Sequence, residues 1–172
     1  MSKLTHIFMA CIVAYFNVSA AAQALPSPGA AGVEPVAGAG PKHTLMLSPY
    51  TYHFNPKPTH RPVVMLGLER EHANAKLDGL VFFTNSFGQP SVYLYPWGGV
   101  YPSLLGIERL SFKWTGGVIY GYTGEFKDEV ANVRGIAPVL IFGLTYQVRP
   151  GWSVQINSLG KAAAQLQVNL AL

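Results

Sequence analysis

The chain has 172 residues, of which 49% are hydrophobic and 12% charged, with a net charge of +4. That length fits one domain, and the apolar content is high for a protein that lives in water. The 12 Lys and Arg exceed the 8 Asp and Glu only slightly and are scattered; no basic face is interleaved with aromatics, which argues against nucleic acid as a partner.

At the N-terminus Lys3 precedes the apolar run IFMACIVAYF, and small residues lead on to AAQA. That order of charge, apolar core and small residues is the layout of a cleaved secretory signal peptide, here residues 1–24. Cys11, the single cysteine, falls inside it, so the exported chain is expected to carry no thiol. Residues 25–44 are rich in Pro, Gly and Ala with no apolar period, and read as a flexible leader. Nowhere does a run reach the 18 or so apolar residues that a spanning helix needs.

From residue 45 to 172 apolar residues recur with period two. Eight segments show it, at about 47–55, 62–70, 77–85, 90–97, 108–122, 136–147, 152–160 and 163–172, separated by turn sequences such as EHANAK, PWGGVYPS and RPG. In the last, QLQVNLAL, Leu166, Val168, Leu170 and Leu172 alternate with Gln165, Gln167, Asn169 and Ala171. In RLSFKWTGGVIYGY, Leu110, Phe112 and Trp114 alternate with Ser111, Lys113 and Thr115. The fold class is therefore all-β. A soluble sandwich or lipocalin-like barrel would turn the apolar face inward, and a membrane barrel would turn it outward. Aromatics at the segment ends favour the membrane, with Tyr50, Tyr52, Phe54 and Tyr122 at one rim and Tyr146 and Trp152 at the other. The expected architecture is an eight-stranded antiparallel transmembrane β-barrel of the outer-membrane type, in a Gram-negative envelope, a monomer whose partners are membrane lipids.

With both termini periplasmic, the upper ends of strands one and three share the extracellular rim. His53 ends the first, and the pair Asn85-Ser86 ends the third. Their backbones would lie about 10 Å apart, two strand spacings, so inward side chains could meet. A serine hydroxyl within reach of a histidine is the pairing that acyl transfer uses. The plain alternative is that NSFG serves only as a turn. His43, His60 and His72 are placed in the leader, the first loop and the first turn, with no spacing that would gather them around a metal. Glu69, Glu71 and Asp78 read as solvated turn charges. Lys127 and Arg134, in the long polar loop KDEVANVRG, are candidates for contact with lipopolysaccharide headgroups.

Several segments resemble the outer-membrane lipid A palmitoyltransferases: SPYTYH the first strand, HRPVVMLGLER the second, GLVFFTNS the third, and IAPVLIFGLTYQVRPGWSVQI the sixth and seventh. The resemblance implies an eight-stranded barrel that moves an acyl chain from a phospholipid to lipid A without metal or organic cofactor. Its catalytic histidine falls on His53, its serine on Ser86 and its aspartate on Asn85, where an amide can orient an imidazole but not neutralise an imidazolium. Prolines that mark wall openings for lipid entry fall on Pro49, Pro62, Pro138 and Pro150. Tyr93 and Tyr95 occupy the floor of the acyl pocket, where that family keeps small residues, and would shorten or fill it. The competing expectation is a non-catalytic barrel, structural, lipid-binding or solute-transporting, that keeps the fold without the activity.

Overall fold

The period-two segments become strands β1 (Lys42–His53), β2 (Met65–Glu71), β3 (Leu77–Thr84), β4 (Pro90–Tyr101), β5 (Leu110–Tyr120), β6 (Ile136–Arg149), β7 (Trp152–Leu159) and β8 (Ala163–Ala171). The computed structural model describes residues 40–172; the segment 1–24 expected to be a signal peptide, and the expected leader as far as residue 39, lie outside the described residues. Each strand pairs antiparallel with its sequence neighbour, and β8 returns to pair with β1, so the sheet is a closed barrel. One rim carries the start of β1 and the end of β8. The opposite rim carries His53 and the end of β3.

Strand ends shift from expectation by up to five residues, and the two largest shifts each have a local reason. β1 begins at Lys42 and takes in His43 and Thr44, which the apolar period places in the leader. Lys-His-Thr carries no apolar period, but it finds register partners in Glu71, Arg70 and Glu69 on β2. β4 continues through PWGG to Tyr101, because a bulge between Leu94 and Trp97 absorbs Pro96 and lets the ladder with β5 resume.

Side chains are distributed inside out relative to a soluble barrel. On β7 and β8 Gln155, Asn157, Gln165, Gln167 and Asn169 are buried in the interior, while Val154, Ile156 and Leu166 are exposed, Ile156 by 58%. The interior amides satisfy one another, as buried polar groups must: Asn157 Nδ2 donates to Gln167 Oε1 at 2.8 Å, Asn169 Nδ2 to Gln155 Oε1 at 3.1 Å, and Thr145 Oγ1 to Gln155 Oε1 at 2.9 Å. A water-soluble sandwich with those leucines and valines sealed inside is ruled out.

On the β1–β5 side, Met46, Met65, Val81, Tyr93 and Tyr95 fill the lumen. Gly79 makes this packing possible, because a Cβ there would stand 2.1 Å from the Tyr95 ring. Tyr95 therefore lies across β3 and donates its hydroxyl to Glu69 Oε2 at 3.1 Å, while Lys113 Nζ pairs with Glu69 Oε1. A buried pair stabilises little by itself, but removing one partner strands the other charge. Lys113→Met should therefore destabilise the barrel by about 3–5 kcal/mol in urea unfolding, and the double change Glu69→Leu with Lys113→Met should recover most of that loss.

Candidate functional site

The sequence SPYTYH puts a residue without an N–H into the β1–β8 ladder. The register shifts between Leu47 and Tyr50, so Pro49 sits in a bulge, and the Ser48 hydroxyl donates to Leu166 O at 2.6 Å. The bulge also resets which side chains face inward. Met46 and Ser48 are buried below it, and above it Tyr50 and Tyr52 stand exposed while Thr51 and His53 are more enclosed. His53, the last residue of β1, thus leans over the mouth, above the apolar band of the wall.

The β3–β4 turn delivers the second group. Asn85, 1% exposed, accepts from the backbone N–H of Phe87 and of Gln89 at 3.0 Å each, and donates through Nδ2 to Gly121 O and Gln89 Oε1 at 3.2 Å each. Gly88 takes the positive φ, 78°, that closes the turn, and Arg61 N donates to Ser86 O at 2.7 Å. So held, Ser86 Oγ stands 2.6 Å from His53 Nε2.

The His53 ring packs on His60 with centroids 4.4 Å apart. Its pKa lies below the ordinary 6.5, first because partial burial disfavours the cation and second because His60 beside it adds like charge. A neutral imidazole facing a hydroxyl is the form a general base requires.

Asn85 does not orient His53. Both its side-chain atoms are engaged within the turn and by Gly121, so its role is to shape the loop that presents Ser86. Pro49 and Pro62 do flank a break in the wall: the β1–β2 register ends at Ser48↔Met65, leaving Pro49–His53 opposite the irregular segment 61–64. Pro138 stands in a second one, because β6 pairs with β7 only from Phe142↔Ser158 downward and Ile136–Ile141 overhang. Pro150 is in the β6–β7 turn at the opposite rim and marks no opening near His53. Tyr93 and Tyr95 point inward as expected and are packed in the core cluster, with the Tyr93 hydroxyl 3.0 Å from Thr115 Oγ1.

Five residues gather at this rim through contacts between loops. Phe87 stacks on Phe126 at 4.3 Å and meets His60 edge-on at 5.5 Å, and Lys57 joins the β1–β2 loop to the β5–β6 loop by an ion pair with Glu129 at 2.6 Å. No local sequence signal marks them, since each contact spans tens of residues. At the other end of the lumen lies a polar cavity of about 230 Å³ lined by Glu71, Arg109, Lys113, Gln147, Ser153 and Asn169 among others, and the tyrosine cluster stands between it and the His53–Ser86 pair.

Two outcomes test this geometry. Labelling of Ser86 by a fluorophosphonate should rise with pH through a midpoint below 6.5, the ordinary histidine value, because only neutral His53 can take the proton; His53→Asn should slow labelling by about 100-fold. Asn85→Ala should increase protease nicking of the β3–β4 turn in the folded barrel, whereas a catalytic orienting role would slow labelling without exposing the loop.

No protein-family model matches the chain and no curated protein matches it, so the chemistry of this rim rests on its own geometry.

Proposed function

We propose that the protein is an outer-membrane β-barrel that transfers an acyl chain from a phospholipid to lipid A or a related lipid. The observation that carries the reading is the 2.6 Å contact between Ser86 Oγ and His53 Nε2, residues 33 apart in sequence on different strands. Turn formation alone requires no such convergence. The apolar outer wall and its aromatic rims suit a bilayer: Tyr50, Tyr52, Phe54 and Tyr120 are exposed at one end, Tyr101, Tyr146 and Trp152 at the other. The N-terminal run after Lys3 supplies the export signal.

In this mechanism Ser86 Oγ attacks the ester carbonyl of the donor while its proton passes to His53 Nε2. The carbon–oxygen bond to the glycerol breaks, His53 returns the proton to that oxygen, and a lysophospholipid leaves. An acceptor hydroxyl then gives its proton to His53 and attacks the acyl-serine; the carbon–Oγ bond breaks and His53 returns the proton to Oγ, restoring Ser86. Wall breaks beside Pro49 and Pro138 give lipids a lateral way to the rim.

The second reading is a barrel without catalysis. The filling of the lumen by Tyr93 and Tyr95 favours it, as does an amide, Asn85, in place of a carboxylate. Mass spectrometry of lipid A separates the two. Overexpression of the wild type should add one acyl chain, and Ser86→Ala should abolish the addition while leaving heat-modifiable gel mobility intact; lipid A unchanged by the wild type would support the non-catalytic barrel. For the membrane itself, Val168→Arg on the outward face of β8 should cost about 2–4 kcal/mol of folding free energy in lipid, read by urea titration in vesicles.

A further inference from the structure

We propose that the outer wall seats one phospholipid molecule in a groove at the rim opposite His53 and Ser86. The inference rests on the reading that this wall stands in a bilayer. The groove has a volume of about 350 Å³; Pro96, Trp97, Tyr101 and Trp114 line one flank and Asn74 and Lys76 the other.

Its origin is a fault in the sheet. The β3–β4 register runs down to Gly79↔Tyr95 and resumes only at a single bridge, Lys76↔Gly99. Between them the bulge around Pro96 draws β4 away, since proline has no N–H to return to the ladder. Gly98 and Gly99 then leave the floor bare. A Cβ on Gly99 would meet Trp114 Nε1 at 2.8 Å and one on Gly98 would meet the Leu77 Cβ at 2.9 Å, so the indole lies directly on the strand backbone and becomes a wall of the groove.

The chemistry of the lining selects the occupant. Trp97 and Tyr101, exposed by 64% and 57%, offer flat apolar faces to a hydrocarbon chain and are the residue types that settle at headgroup depth. Lys76 and Asn74, on the turn at the rim, supply an ammonium and an amide where the phosphate of that same lipid would lie. An acyl chain against the aromatics with its phosphate at Lys76 uses both flanks at once.

The test is native mass spectrometry of the exported chain, folded in phosphatidylglycerol vesicles and extracted into mild detergent, counting retained phosphatidylglycerol. The wild type should keep one molecule. Trp97→Ala and Lys76→Glu should each lower retention by about tenfold, the loss of one good contact, whereas Trp152→Ala, an exposed aromatic of the same rim on β7, should retain lipid as the wild type does. Heat-modifiable mobility shows that each variant has folded. Ser86→Ala should also retain the lipid, because the groove is remote from the reactive pair. Equal retention by Trp97→Ala and Lys76→Glu, or equal loss by Trp152→Ala, would mean annular lipid only and overturn the proposal. A wild type that stays dispersed in water without detergent would instead overturn the bilayer reading beneath it.

Discussion

The ladder between β8 and β1, running from Thr44↔Ala171 to His53↔Ala163, joins the two ends of the sheet and closes the ring. A ring of eight strands has an interior only wide enough for side chains, so whatever points inward must pack and pair there. On the β7–β8 side the solution is a mutually hydrogen-bonded set of amides; on the β1–β5 side it is tyrosine, methionine and one buried ion pair. The outer wall is free to be apolar because the backbone polar groups are spent in the ladder.

Against that regular cylinder, the candidate site sits where regularity fails. The bulge at Pro49 aims His53, an asparagine-locked turn aims Ser86, and missing rungs between β1 and β2 and between β6 and β7 open the wall beside them. The fault at Pro96 is of the same kind on the other rim. Pro49 and Pro96 each sit at a register shift as the residue that cannot complete a ladder bond, which weakens pairing locally while the closed ring keeps the rest in register.

Much of the strand layout was legible in residues 45–172, because a two-residue apolar period survives wherever one face presents apolar side chains outward and the other packs into the barrel. It was illegible at Lys42–Thr44, where the strand holds no apolar residue, and at PWGG, where a bulge hides the phase. His53 and Ser86 could be paired from strand order and spacing alone. Asn85 could not be placed, since an amide next to a serine reads equally as a catalytic neighbour or as turn scaffolding, and only its four partners decide. His60, Phe87, Phe126 and the Lys57–Glu129 pair meet across loops, a relation that no local pattern encodes. Pro150 resembled the other prolines by composition, yet its place between two strands makes it an ordinary turn residue.

The one-residue irregularity at Pro49 also acts as a parity device. Strand residues alternate between two sides, so an odd insertion exchanges the sides for everything beyond it. Below Pro49 the inward positions are even-numbered and above it they are odd-numbered, which is why residue 53 can address the mouth although Met46 and Ser48 lie inside the same strand. The same sequence laid down as an unbroken strand, with no bulge to absorb the extra residue, would bring Tyr52 inward and turn the His53 imidazole to the outside, away from Ser86.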